Sequence, residues 1–92
     1  MKFARTERFN EAADKLPRDI QKKVRKAFKL FQQNSRYPSL GIKKLKGHEN
    51  IWEGRIDQFY RFTFEYGEEP ATGEPVCTFR NVGRHDIIDH NP

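Results

Sequence analysis

The run Trp52-Glu53-Gly54-Arg55-Ile56-Asp57-Gln58-Phe59-Tyr60-Arg61-Phe62-Thr63-Phe64 constrains this chain more than any other stretch. Side chains that alternate with a period of two belong to strands. Here the alternation sends Trp52, Ile56, Tyr60, Phe62 and Phe64 mainly to one side and Glu53, Arg55, Arg61 and Thr63 to the other. With Asp57, Gln58 and Phe59 as a short loop, Ile56 faces Tyr60 and Arg55 faces Arg61. Like charges directly opposite on a sheet are destabilising. Two guanidinium groups side by side on an open face therefore point to an anionic ligand, phosphate first. Val82-Gly83-Arg84-His85-Asp86 follows further on and adds an imidazole.

Ninety-two residues are expected to form one domain, 1–92, with a modest core. Charged residues make up 34% of the chain and hydrophobic ones 35%, but eight Phe, three Tyr and one Trp supply large buried areas. The net charge of +5 and a pI near 9.6 favour a polyanionic partner, such as nucleic acid or an acidic protein, over an anionic membrane. The single cysteine, Cys77, excludes an internal disulfide framework. With no signal peptide and no apolar run long enough to span a bilayer, the expected location is the cytoplasm.

Along the chain, Lys2–Arg5 reads as a first strand, and Thr6 as an N-cap with Glu7 in the first helical turn. Phe9, Ala12, Ala13 and Leu16 recur at helical spacing. Pro17 suits the first position of a second helix, which runs to about Gln33. Ile20, Val24, Ala27, Phe28 and Phe31 share one face of that helix, and Arg18, Lys22, Arg25, Lys26 and Lys29 form a basic stripe on the other. Residues 36–50 read as a basic loop, followed by strands at roughly 51–57 and 60–66. Gly67 to Pro75 reads as a turn-rich insertion and Val76–Val82 as a last strand, after which Gly83 releases a tail carrying His85. The expected fold is α+β in the order β-α-α-β-β-β. Two N-terminal helices pack on one face of a small, mainly antiparallel sheet.

Metal-free RNA cleavage needs a base for the 2′-hydroxyl, cations for the phosphorane and an acid for the leaving oxygen. As an imidazole, His85 is a candidate acid or base near neutral pH. Arg61 and Arg55 can stabilise phosphate charge, with Arg80 and Arg84 as supplements, and Glu53 is a candidate base on the same predicted face. Alternatively, Arg61 pairs with Glu53 or Glu65 on a solvated surface. Lys43, Lys44, Lys46 and His48 enter the hairpin and can contact an RNA backbone, or simply be solvated. His85-Asp86-x-x-Asp89-His90 matches no strong zinc or calcium spacing, so no metal or other cofactor is expected. Asp86 can orient His85 or cap a turn. Trp52, Tyr60, Phe62 and Phe64 could stack on bases as an aromatic platform, but alternation places them in the core under the helices, with Phe59 or Tyr60 left exposed at the turn.

The whole chain resembles the RelE/ParE superfamily of type II toxin–antitoxin toxins. The resemblance rests on the short first strand, the helical hairpin, Leu45-Lys46-Gly47, Trp52-Glu53-Gly54-Arg55, Tyr60-Arg61-Phe62 and Val82-Gly83-Arg84-His85-Asp86. It implies a toxin neutralised by a cognate acidic antitoxin that wraps its surface. The RelE-like branch, which is favoured, implies ribosome-dependent cleavage of mRNA and inhibition of translation, with ribosome and mRNA as partners. The ParE-like branch implies inhibition of DNA gyrase without catalysis. By position, Arg61 matches the family's phosphate-stabilising arginine and His85 its catalytic histidine or arginine. Lys44 and Lys46 fall where some members carry catalytic or RNA-binding lysines. A C-terminal tyrosine used by some members has no clear equivalent among Ile87, Ile88 and Asp89.

Overall fold

The computed structural model describes residues 1–92, the side chain of Ile87 excepted. The chain runs β1 (Lys2–Arg5), α1 (Glu7–Asp14), α2 (Arg18–Gln33), a 3₁₀ turn (Pro38–Leu40), β2 (Lys43–Lys44), β3 (Trp52–Arg55), β4 (Tyr60–Glu68), β5 (Pro75–Arg84) and α3 (His85–His90). The sheet order is β1-β5-β4-β3-β2, antiparallel throughout except that β1 runs parallel to β5. No helix is long and apolar enough to cross a membrane among the described residues.

Local chemistry accounts for the helical hairpin. The Thr6 hydroxyl accepts the Phe9 N–H at 3.0 Å and donates to the Arg80 carbonyl at 2.8 Å, so one cap starts α1 and ties it to β5. Gln21 donates to the Ala13 and Asp14 carbonyls at 3.1 and 3.3 Å, tying the start of α2 to the end of α1. Pro17 sits one position earlier than expected, as the N-cap of α2, where its missing N–H costs nothing. The five basic side chains of the α2 stripe are all exposed.

The opposite face of α2 closes an aromatic core. Phe28 stacks on Phe79 with centroids 4.1 Å apart, and Phe31 meets Phe64 edge-to-face at 4.9 Å. Phe62 and Phe64 are fully buried, while Trp52 and Tyr60 are half-buried at the margin. Gly54 lies against this core because Phe62 occupies the space a side chain would need. Cys77 is buried too, and burial pushes its thiol up to about 12.

Several expected boundaries shift, each through pairing or burial. The 36–50 region is not only a loop. Leu40 is buried and Lys43–Lys44 pairs with β3 as an edge strand, an arrangement that two lysines give no local reason to expect. The Gly67–Pro75 insertion contracts, since β4 continues to Glu68 and β5 begins at Pro75, with Glu69 accepting backbone bonds from Thr72 and Gly73 around the turn. The tail after Gly83 is helical. A six-residue helix is too short to be stable alone; burial of Ile88 holds α3 against the sheet.

A bulge between Thr63 and Phe64 leaves Arg80 opposite no partner. Beyond α3 the chain lies across the sheet face opposite the helical hairpin. The Asn91 carbonyl accepts from Asn81 at 2.8 Å and the Pro92 carbonyl from Thr63 at 2.6 Å.

Candidate active site

The β3–β4 hairpin forms in the expected register, with Arg55 opposite Arg61 and the Ile56 N–H donating to the Tyr60 carbonyl at 2.9 Å. Its turn is built by Asp57. One carboxylate oxygen accepts the N–H groups of Phe59 and Tyr60, each at 2.9 Å, and the other accepts from the Lys23 ammonium at 3.0 Å. Burial alone would push the Asp57 carboxyl up. The Phe59 N–H, Lys23 and the Tyr60 N–H together outweigh that and hold it below its ordinary value of 3.8. A carboxyl with a lowered folded-state pKa stabilises the fold above its unfolded pKa and loses that contribution as pH falls. Asp57→Asn is therefore expected to lower stability at neutral pH and to flatten its decline below about pH 4. Denaturant melts at about pH 7 and about pH 3 check this; parallel pH profiles would refute it.

Beside this turn is a cleft of about 300 Å³ lined by Gly41, Lys43, Glu53, Arg55, Gln58, Arg61, His85 and Asp89. Strands β3 and β4 supply the two arginines, and α3 places His85 and Asp89 one helical turn apart. The predicted trio of Arg55, Arg61 and His85 thus comes together, with Glu53 and Lys43 beside it. A second hollow of about 340 Å³ shares Lys43, Glu53 and Asp89 with the first and continues past Lys44, Lys46 and His48. The basic entry residues and the arginine pair therefore line one continuous track.

Ion pairing resolves the alternative raised for Arg61. Glu53, 8% exposed, pairs with Lys43 at 3.2 Å, and Glu65 pairs with Arg80 at 2.6 Å. Arg61 instead turns Nη1 back onto the hairpin, donating to the carbonyls of Asp57 at 2.7 Å and Tyr60 at 3.1 Å. These bonds orient the guanidinium without neutralising it. A planar guanidinium carries five N–H donors, so its other edge is left for an anion.

Arg80 and Arg84 stand outside the cleft. Arg80 is held by Glu65 and by the Pro92 carbonyl at 3.4 Å, whereas exposed Arg84 covers the Phe59 and Tyr60 rings. Asp86 is exposed on α3 and does not line the cleft. Asp89 and Gln58 do line it; the sequence brought Asp89 forward only within the His85-Asp86-x-x-Asp89-His90 cluster, and Gln58 not at all. The His85-to-Asp89 spacing points to Asp89 only once the segment is known to be helical. Among the described residues, no group of three or more His, Cys, Asp and Glu side chains converges as a metal site.

No protein-family model and no curated protein matches the sequence. Solved structures do match. The YoeB/ParE toxin from Agrobacterium tumefaciens superposes with a TM-score of 0.72 at 15% identity, covering 92% of this chain and 99% of that one. A chain of the RelB–RelE antitoxin–toxin complex from Methanococcus jannaschii gives 0.68 at 26% identity over 97% and 99%. YafQ from E. coli gives 0.69 at 9% identity over 95% and 96%. These similarities extend across nearly the whole chain. The fold is that of the RelE/ParE superfamily of toxins.

Proposed function

We propose that this protein is the toxin of a type II toxin–antitoxin pair and cleaves mRNA on the ribosome without a metal. The observation that carries the reading is the cleft in which His85 joins two guanidinium groups, Arg55 and Arg61, that no carboxylate neutralises among the described residues. In this reading the scissile phosphate sits between the arginines, whose charge opposes that accumulating on the phosphorane. The 2′-oxygen attacks phosphorus to form a 2′,3′-cyclic phosphate as the bond to the 5′-oxygen breaks; His85 carries one of the two proton transfers and water the other. Glu53 is engaged by Lys43. Its role is to hold that ammonium beside the phosphate track, and it can take a proton only by releasing part of that hold. Lys44 and Lys46 extend the track to flanking phosphates.

The same reading supplies a partner. Matching structures include toxins bound to RelB and to DinJ antitoxins. A net charge of +5, with the α2 stripe exposed, suits an acidic segment that orders on binding.

The test is transcript-end mapping after brief induced expression. Wild type is expected to produce new mRNA ends at codon boundaries, and only when translation is running. His85→Ala should reduce their yield by about 10²–10⁴-fold, the usual contribution of a general acid or base. Growth arrest with no new ends, unaffected by His85→Ala, would overturn the nuclease reading and direct attention to DNA gyrase.

A further inference from the structure

Phe59 projects from the tip of the β3–β4 turn with 47% of its surface exposed, one of few large apolar side chains the fold leaves in water. Turn tips are ordinarily occupied by Gly, Asn, Asp or Ser, so an exposed phenyl ring here has no local conformational reason. Nor is it loosely held. Its N–H donates to the Asp57 carboxylate at 2.9 Å and its carbonyl accepts the His85 N–H at 2.9 Å. The backbone carrying the ring is thus bonded directly to the backbone of the cleft histidine, and the preceding residue, Gln58, lines the cleft.

Arg84 completes the arrangement. It lies opposite Tyr60 in the β4–β5 pairing, and its guanidinium carbon stands 5.4 Å from the Phe59 centroid and 5.9 Å from that of Tyr60. The cation–π contact steadies the phenyl ring and places a positive charge beside it. An aromatic face with an adjacent guanidinium is the combination on which single-stranded nucleic acid stacks its bases, because every base has a π-face and every nucleotide a phosphate.

We infer that Phe59, steadied by Arg84, is a stacking platform for an unpaired RNA base next to the scissile phosphate. This rests on the phosphate cleft proposed above and adds to it a contact with a base. Backbone contacts alone would leave the strand free to slide along the basic track, since phosphates repeat identically. A stacked base beside His85 would halt it with one phosphate in place. The surface is assigned to RNA rather than to an apolar protein because Arg84 stands over the ring and the adjoining Gln58 lines the cleft that holds Arg55 and Arg61, guanidinium groups suited to the phosphates flanking a stacked base.

The platform is tested with a fluorescently labelled single-stranded RNA oligonucleotide and a set of copies in which one abasic nucleotide is stepped along the strand. Phe59→Ala should weaken binding of the intact oligonucleotide about tenfold, the scale of one lost base stack. Wild type should lose a similar factor at one abasic position, and Phe59→Ala should lose nothing further there. Phe59→Trp should bind the intact strand at least as well as wild type, whereas Phe59→Leu, apolar but not aromatic, should resemble the alanine variant. Unchanged binding by Phe59→Ala, or a loss equal for every abasic copy, would overturn the platform. Unaltered RNA binding with loss of antitoxin binding would overturn it too, by making the ring a protein contact. Transcript-end mapping separates this from the parent reading. If wild type produces new ends but the oligonucleotide data fail, only the platform falls; if no ends appear, the nuclease reading fails on its own.

Discussion

Arg61→Ala is expected to reduce the yield of new mRNA ends by roughly 10²–10³-fold, the loss usual when one oriented donor to a transition-state oxyanion is removed. The expectation follows from how the side chain is held. Nη1 is bonded to the turn carbonyls of Asp57 and Tyr60, while the nearby carboxylates Glu53 and Glu65 are engaged by Lys43 and Arg80. The guanidinium is oriented before substrate arrives and keeps its full charge. Arg61→Lys should recover only part of the activity, since an ammonium keeps the charge but not the planar fork. Arg61 is half-buried at the sheet margin rather than in the aromatic core, so both variants should unfold within a few degrees of wild type. Cleavage by a folded Arg61→Ala at more than about a tenth of the wild-type yield would remove Arg61 from the mechanism.

The largest loss of stability is expected from a single methyl group. A Cβ built on Gly54 would stand 2.3 Å from Cζ and 2.5 Å from Cε1 of Phe62, and 2.8 Å from Cδ1 of Ile42. Phe62 is fully buried and meets Phe28 and Phe31 edge-to-face, at centroid distances of 5.4 and 5.9 Å, so its ring has little room to retreat. Overpacking of this kind costs about 1–3 kcal/mol and sometimes more, against a total stability of roughly 5–15 kcal/mol for a typical domain. Gly54→Ala should therefore lower Tm by about 4–24 °C, at some 4–8 °C per kcal/mol for a domain this small. Gly67→Ala is the matched control, since a methyl group there would meet no atom within 4 Å. Thermal melts followed by circular dichroism check both. A wild-type Tm for Gly54→Ala would mean that the β3–core contact is looser than described.

The two predictions draw on different kinds of information. Arg61 is legible in the sequence because strand alternation and a short turn place it opposite Arg55 whatever the rest of the chain does. Glu53 is legible as a neighbour on the same face, but its pairing with Lys43 is not. That pair exists because Lys43–Lys44 adds to the sheet edge as β2, in register with Trp52 and Glu53. Gly54 carries no signal beyond being a glycine in a strand. Its importance comes from Phe62 packing over it, which depends on α2 pressing Phe28 and Phe31 down from the other side of that ring.

The C-terminal segment shows the same division more sharply. His85 is identifiable as a candidate from its place after Val82-Gly83-Arg84, yet locally the segment looks like a tail. A six-residue helix has no stability of its own, so nothing in its local sequence could announce it. Burial of Ile88 and the bonds from Thr63 and Asn81 to the last carbonyls hold it on the sheet. Arg80 and Arg84, grouped with the cleft on charge alone, do not line it, because Glu65 and the Pro92 carbonyl hold Arg80 and Arg84 lies over the rings of Phe59 and Tyr60.

By itself, then, the sequence determined the α+β class, the helical hairpin, the β3–β4 register and the convergence of Arg55 and Arg61. All of these follow from periodicities and turn chemistry that act over a few residues. Only the tertiary structure decided which carboxylates are neutralised, that Asp89 joins His85, that Gly54 has no room for a side chain, and that Phe59 stands exposed beside the cleft. Those outcomes depend on contacts between residues far apart in the chain, where packing and ion pairing outweigh any local preference.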